Sequence, residues 1–250
     1  MKIGIIGSGF IGGALALKLS AAGHQVKIAN SRAPETIDAK ALTSGATAVW
    51  ANEAVRDVDA VILSVPLAKI GSVAPLLADL PKNVAVIDTS NYYPHRDGKI
   101  DELEAGEIES LWVSKRLGRP LVKAWNAIYT ASFDTQGRPS NAVNRIALPI
   151  AADSEKEFDI ARELVDATGF DAYYSGPLSE SWRQQPGAPV YCTDLSRAEL
   201  PSALASAKRE RLPELRDATI RAFVSHMESE GGELTSEWTV ATFRSISARQ

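Results

Sequence analysis

Short apolar runs alternate with longer amphipathic segments through the first two thirds of the chain. This alternation is typical of strands joined by helical crossovers, so it predicts an α/β fold with a doubly wound, mostly parallel sheet of about eight strands. The predicted strands are residues 2–6, 25–29, 46–49, 60–64, 84–88, 121–125, 145–151 and 170–174. The predicted helices are residues 10–22, 34–42, 67–77, 99–117 and 154–168.

The pattern changes to helices and loops after Ser175. We therefore expect a sheet domain over residues 1–175 and a small helical C-terminal region over residues 176–250. In that region apolar side chains recur at helical spacing, and such a stripe either packs on the sheet domain or forms an interface with a second copy of the chain. The stripe consists of Leu215, Ala218, Ala222, Phe223 and His226.

A glycine-rich turn, Gly7-Ser8-Gly9-Phe10-Ile11-Gly12, follows the first predicted strand. In a strand-turn-helix unit, Gly7 permits the tight turn, Gly9 lets a pyrophosphate approach the backbone, and Gly12 lets the helix pack on the strand. The N-terminus of the helix offers unpaired N–H groups and the positive end of its dipole to phosphates. The turn therefore predicts a Rossmann-type dinucleotide site.

The end of the second predicted strand indicates which dinucleotide is bound. Sites that prefer NAD carry Asp or Glu there, because a carboxylate accepts hydrogen bonds from the ribose hydroxyls. Here Ser31 and Arg32 provide a hydroxyl and a cation, which suit a 2′-phosphate. The predicted cofactor is NADP(H).

Composition narrows the class of protein. The 250 residues are 45% hydrophobic and 23% charged, as in an ordinary soluble globular protein with a full core. A net charge of -4 and the lack of a long basic run argue against nucleic acid as a partner. With no membrane-length apolar stretch and no signal sequence, we expect no membrane partner and a cytoplasmic location. One cysteine and three histidines without metal-ligand spacing predict no disulfide and no metal site.

Five motifs occur in an order that is seen in a known family. Through them, about residues 1 to 185 resemble the NADP oxidoreductases that depend on coenzyme F420, a deazaflavin. The resemblance implies hydride transfer between NADP(H) and a deazaflavin or flavin-like ring, a C-terminal portion that completes the substrate cleft, and a homodimer. The motifs are residues 7–12, Ser31-Arg32, Leu63-Ser64-Val65-Pro66, residues 123–128 and Gly176-Pro177-Leu178.

The same resemblance implies roles for individual residues. The pyrophosphate would lie along Ser8, Gly9, Phe10 and Ile11, and the 2′-phosphate would contact Ser31 and Arg32. The cofactor cleft would be bordered by Ser64, Val65, Pro66 and Leu67. The nicotinamide and the accepting ring would lie near Asn126, Ile128 and Thr130. The chain departs from the usual family pattern at Glu35 and Thr36, where a further basic residue is common, at Asn126, which replaces a histidine, and at Tyr129, which replaces a proline.

The chemistry depends on the substrate. Hydride transfer between two rings depends mainly on stacking and exclusion of water, so a deazaflavin acceptor requires no essential acid or base. A carbonyl or imine substrate requires a proton donor. The candidate donors are His95, in the loop after the fifth strand, Lys123 and Tyr129, with Asn126 as an orienting amide. Lys123 is alternatively a structural ion-pair residue.

Three functions follow from this reasoning. The first is an NADP(H)-dependent oxidoreductase with a deazaflavin or flavin as acceptor. The second is an NADPH-dependent reductase of a small carbonyl or imine compound. The third is a protein without enzymatic activity that senses NADP(H). Turnover distinguishes the sensor from both enzymes.

Overall fold

The computed structural model describes residues 1–229 and 232–250. One sheet has the strand order β3-β2-β1-β4-β5-β6-β7-β8, and its neighbouring strands are parallel except for β6 with β7. The predicted α/β, Rossmann-type sheet is therefore confirmed. The strands are β1 (Lys2–Ile6), β2 (Gln25–Ala29), β3 (Thr47–Ala48), β4 (Ala60–Leu63), β5 (Ala85–Asp88), β6 (Val122–Lys123), β7 (Ala147–Ala151) and β8 (Asp171–Gly176).

Helices cover both faces of the sheet and make up most of the C-terminal region. The α-helices are α1 (Phe10–Ala21), α2 (Ala51–Ala54), α3 (Ile70–Val73), α4 (Pro94–Asp97), α5 (Asp101–Glu104), α6 (Glu109–Leu117), α7 (Thr130–Thr135), α8 (Glu155–Ala167), α9 (Leu200–Ser206), α10 (Leu212–Glu228) and α11 (Ser236–Ser247). Short 3₁₀ helices span Pro34–Thr36, Ala39–Leu42, Leu67–Lys69, Ala74–Leu77, Leu178–Gln184 and Arg209–Arg211.

Three of the predicted helices are interrupted, and the prediction of continuous helices there is wrong. Residues 34–42 form two 3₁₀ turns, because Ile37 is extended and the Asp38 carboxylate accepts a bond from the Lys40 N–H, which starts the second turn. Pro75 lacks an N–H and ends α3. Gly106, with a φ of +93°, separates α5 from α6.

Alternate residues of the strands supply two separate cores. Ile3 and Ile5 of β1 pack on the side of the sheet covered by α1 and α8, whereas Ile6 packs on the side covered by α3 and α6. On that second side, a Cβ on Gly4 would lie 1.9 Å from the Ala54 carbonyl oxygen, so α2 approaches β1 as closely as a glycine permits. Both faces of the sheet are thus buried, as expected for parallel strands.

The C-terminal region packs against the sheet and on itself. Leu178 is buried in the core beneath α3 and α6, and Leu215 at the start of α10 is also buried. Farther along α10, Phe223 packs edge-on against Phe243 of α11, and the His226 ring stacks on Trp238 at 3.9 Å. The predicted apolar stripe therefore packs within the chain. The division at residue 175 and the homodimer stay predictions.

Within the residues that the structure describes, no helix is long and apolar enough to cross a membrane.

Candidate functional site

The glycine turn between β1 and α1 leaves one open face. Gly7 has a φ of +109°, and a Cβ there would lie 2.0 Å from the Ser64 carbonyl oxygen. A Cβ on Gly12 would lie 1.9 Å from the Gly7 carbonyl oxygen. A Cβ on Gly9, in contrast, would have no atom within 4 Å. Gly7 and Gly12 are required by packing within the protein, whereas the space in front of Gly9 is available to a ligand.

The strand order reverses at β1, which pairs with β2 on one side and β4 on the other. Ligands of open α/β sheets bind at the carboxyl ends of the strands at such a point. The loop after β4 also lies there: Ser64 and Val65 are partly exposed and Pro66 is exposed. Leu67 is fully buried in the core, so it anchors this loop and has no exposed surface that a ligand could contact.

The segment after β2 carries an exposed cation, Arg32. Ser31 and Arg32 are both exposed, and among the described residues the Arg32 guanidinium makes no ion pair. The Arg32 backbone N–H donates to Asn30 Oδ1 at 2.8 Å. The side chain of Asn30 in turn reaches the glycine turn, because its Nδ2 donates to Ser8 Oγ at 3.2 Å. An open glycine turn beside an unpaired cation fits the phosphates of NADP(H).

A cavity of about 550 Å³ extends from the glycine turn along the outer side of α1. It brings Thr130, at the start of α7, to the same space as Ser8, Gly9 and Phe10. An ion pair of 3.1 Å between Lys40 and Asp134 links two of its walls. The lining residues are Ser8, Gly9, Phe10, Gly13, Ala14, Leu17, Asp38, Lys40, Ala41, Thr130, Ala131 and Asp134.

Lys123 lies at the end of β6 and is fully buried. Its Nζ donates to Asp88 Oδ2 at 2.6 Å and also to the Ser90 carbonyl oxygen. Asp88, at the end of β5, is fully buried as well. The ammonium of Lys123 thus has no exposed surface and is committed to an internal ion pair, which favours its alternative role as a structural residue; its role as a proton donor stays a prediction.

Asn126 is 2% exposed, and its amide is saturated by protein groups. The Nδ2 donates to Asn91 Oδ1 at 3.0 Å and to the Gln184 carbonyl oxygen at 2.8 Å. The Oδ1 accepts from Gln184 Nε2 at 2.9 Å. In this conformation Asn126 offers no donor to a substrate. It instead ties the loop after β6 to the C-terminal region.

The other substrate candidates are scattered. His95 is exposed on α4, with its ring centroid 5.5 Å from that of Tyr93. Ile128 is buried in the core that contains α1. Tyr129 is partly buried and packs in an aromatic cluster with Tyr191. Of the predicted substrate residues, Thr130 is the one that the structure brings to the cavity beside the glycine turn.

Several buried polar groups near this edge carry no signal in the sequence. The Tyr93 and Tyr191 hydroxyls are 2.8 Å apart, and burial raises the pKa of both. Glu109 at the start of α6 accepts from the Tyr92 N–H at 3.1 Å, and burial raises its pKa to about 7 despite the nearby charge of Lys123. These residues belong to segments that are far apart in sequence, so spacing alone does not connect them.

Comparison with known proteins supports the resemblance noted above. Residues 2–92 match the model of the family described as NADP oxidoreductase, coenzyme F420-dependent. The resemblance to this family is confirmed for that part of the chain. The matched residues include the glycine turn, the Ser31-Arg32 pair and the loop after β4.

Other proteins are similar over different lengths. YjhV of Escherichia coli K12 is 41% identical over 81 residues, which are 31% of this chain and 59% of YjhV. The solved structure of the hypothetical protein SMa0349 from Sinorhizobium meliloti is 28% identical, with a TM-score of 0.69 over 79% of this chain and 96% of that one. A proposed F420-dependent NADP reductase from Arthrobacter sp. FB24 is 18% identical and shares the fold, with a TM-score of 0.55 over 72% and 87% of the two chains.

Proposed function

We propose that this protein is an NADP(H)-dependent oxidoreductase that transfers a hydride between NADP(H) and a deazaflavin or flavin-like ring. One observation carries the proposal: the open backbone at Gly9 lies on the same edge of a Rossmann-type sheet as the Arg32 guanidinium, which makes no ion pair within residues 1–229 and 232–250. The first fits a pyrophosphate and the second fits a 2′-phosphate. The family match over residues 2–92 supports the same cofactor.

The chain would hold the cofactor mainly through backbone and small polar groups. The N-terminus of α1 offers N–H groups to the pyrophosphate, and Ser31 with Arg32 offers a hydroxyl and a cation to the 2′-phosphate. Ser64, Val65 and Pro66 border the crevice at the reversal of strand order. When bound at this site, NADPH would supply the hydride, and one proton would complete the reduction of the acceptor.

The cavity beside the glycine turn supports a ring as the acceptor. Its walls include the small side chains or bare backbone of Gly9, Gly13, Ala14, Ala41 and Ala131. Such walls leave room for a flat molecule of considerable area, and Phe10, which is 88% exposed, offers an aromatic face at the same place. Stacking and exclusion of water are the main requirements of hydride transfer between rings.

The edge formed by β5 and β6 disfavours a carbonyl or imine substrate. Lys123 is committed to Asp88, and the amide of Asn126 is saturated. His95 stands exposed on α4. Neither Lys123 nor Asn126 offers a free donor, and neither His95 nor Tyr129 lines the cavity, so a ring acceptor, which requires no proton donor from the protein, fits the site better.

Steady-state oxidation of NADPH tests the proposal. The purified protein is offered a deazaflavin, free flavins, and panels of small ketones and imines in turn. We expect turnover with a deazaflavin or flavin and none with the ketones or imines. Turnover with a ketone or imine alone would replace the proposal with the second enzyme function. Tight binding of NADPH without turnover on any acceptor would favour the sensor.

A further inference from the structure

Asn30 occupies the junction of the two predicted phosphate-binding segments. It directly follows β2, whose last residue, Ala29, accepts a bond from the Gly7 N–H at 2.8 Å. We propose that Asn30 is a positioning residue that sets the preference for NADP(H) over NAD(H), because its side chain ties the glycine turn to the segment that carries Arg32. This inference rests on the proposed function.

All of the carboxamide's donor capacity is used within the protein. Its Nδ2 donates to Ser8 Oγ at 3.2 Å and to Thr36 Oγ1 at 3.0 Å, and its Oδ1 accepts from the Arg32 N–H at 2.8 Å. The side chain of Asn30 thus contacts the glycine turn at Ser8 and the segment after β2 at two places, Arg32 and Thr36. Sites that prefer NAD place an Asp or Glu near this position, whose carboxylate accepts hydrogen bonds from the ribose hydroxyls, whereas the side chain of Asn30 is uncharged and its Oδ1 already accepts from the Arg32 N–H.

The hydrogen bonds of the Thr36 hydroxyl explain why residue 30 must be an amide. The Thr36 hydroxyl donates its single proton to the Ala33 carbonyl oxygen at 2.7 Å. Its oxygen is therefore available only as an acceptor, and the partner at residue 30 must be a donor. An aspartate would place a charged oxygen against the lone pairs of this hydroxyl. It would also put a negative charge beside the place of the 2′-phosphate.

The test measures the dissociation constants of NADPH and NADH by titration of the full chain. For wild type we expect tighter binding of NADPH. Asn30→Asp should reduce the ratio of NADPH to NADH affinity by about 10- to 100-fold, since it adds a like charge and removes the two N–H donors that reach Ser8 and Thr36. Thr36→Val should reduce the ratio by about threefold to tenfold without adding a charge.

A matched control is Asn83→Asp, an exposed asparagine before β5 at the opposite end of the sheet. It makes the same chemical change and should leave the ratio within about twofold of wild type. Coupling is tested by Asn30→Ala in the Thr36→Val background, where its effect on the ratio should be smaller than in wild type, because the two residues act through one hydrogen bond.

The outcomes separate the inference from the proposed function. An unchanged ratio in folded Asn30→Asp and Thr36→Val, in a wild type that prefers NADPH, overturns the role of Asn30 and leaves the oxidoreductase proposal standing. A wild type that binds NADPH no tighter than NADH overturns the NADP(H) preference itself. If Asn30→Asp does not fold, Thr36→Val and its coupling with Asn30→Ala decide the question.

Discussion

Ser31 and Arg32, which follow β2, are exposed at the surface beside an open glycine turn. At the ends of β5 and β6, in contrast, Asp88 and Lys123 are buried and paired with each other, and Asn126 is buried and bonded to Asn91 and Gln184. Both regions lie on the carboxyl edge of one sheet. The side chains of the first region are exposed and can bind a ligand, whereas those of the second are already hydrogen-bonded within the protein.

The difference shows that place in the fold is not sufficient to identify a site. A charged group is costly to bury unless it is paired and hydrogen-bonded, so the charges of Asp88 and Lys123 are tolerated at the β5/β6 edge because the two side chains pair with each other. At the β1/β2 edge water solvates the cation until a ligand displaces it. Four experiments test this contrast.

The largest effect is expected at the buried pair. Lys123→Met leaves the Asp88 carboxylate buried without its cation, so the free energy of unfolding should fall by about 3 to 5 kcal/mol in urea titrations. Asp88→Asn in the same background should recover part of the loss. Lys2→Met, which breaks the exposed pair with Asp57, is the control and should change stability little. Unchanged stability with lost turnover in Lys123→Met would instead return Lys123 to the role of proton donor.

The second experiment uses the raised pKa of Glu109. The folded protein holds this proton up to about pH 7, whereas the unfolded chain releases it near the ordinary value of 4.5. Because the folded state binds more protons between these values, the stability that Glu109 contributes is complete below pH 4.5 and is lost as pH rises through 7.

Glu109→Gln keeps an acceptor for the Tyr92 N–H and removes the titration. Its stability relative to wild type should therefore increase by about 2 to 3 kcal/mol between pH 4.5 and pH 8, as measured by urea unfolding across that range. Glu53→Gln, at an exposed carboxylate on α2, is the control and should change the unfolding free energy by less than about 0.5 kcal/mol. Parallel stability curves for wild type and Glu109→Gln would show that Glu109 titrates normally.

The third experiment tests the exposed cation. Arg32→Ala should weaken the binding of NADPH by about 1.5 to 3 kcal/mol and the binding of NADH much less, because a charge-assisted hydrogen bond to the 2′-phosphate is lost. Arg56→Ala removes an exposed arginine at the opposite end of the sheet and should affect neither nucleotide. Equal weakening of NADPH and NADH by Arg32→Ala would mean that Arg32 does not contact the phosphate.

The smallest effect on stability is expected at Gly9. Since an added Cβ meets no protein atom, Gly9→Ala should leave the unfolding free energy within about 0.5 kcal/mol of wild type while weakening NADPH binding. Gly71→Ala makes the same addition in open space on α3; it should leave NADPH binding unchanged and, as a Gly-to-Ala change within a helix, raise the unfolding free energy by up to about 1 kcal/mol. Tight NADPH binding by Gly9→Ala would place the pyrophosphate elsewhere.

Much of the cofactor region was predictable because its signals are local. A turn that needs glycine, and the residues one strand later, lie close in sequence and follow the strand-turn-helix geometry. The interruptions at Ile37, Pro75 and Gly106 were missed, although Pro75 and Gly106 are visible breakers, since the apolar spacing continues across them.

The β5/β6 edge was not predictable in this way. Lys123 and Asn126 resemble site residues by position and residue type, and only the contacts of the folded chain show that their polar atoms are already hydrogen-bonded. Those partners are Asp88, 35 residues from Lys123, and Gln184, 58 residues from Asn126. No periodicity or motif joins positions so far apart.

By itself, the sequence determined the order of strands and crossovers, the glycine turn and the cation that follows β2, because each depends on neighbouring residues and on the period of the chain. Only the tertiary structure decided which polar groups are free to bind a ligand. That depends on burial and on how many hydrogen bonds each group already makes, and both are set by segments that meet only when the chain is folded.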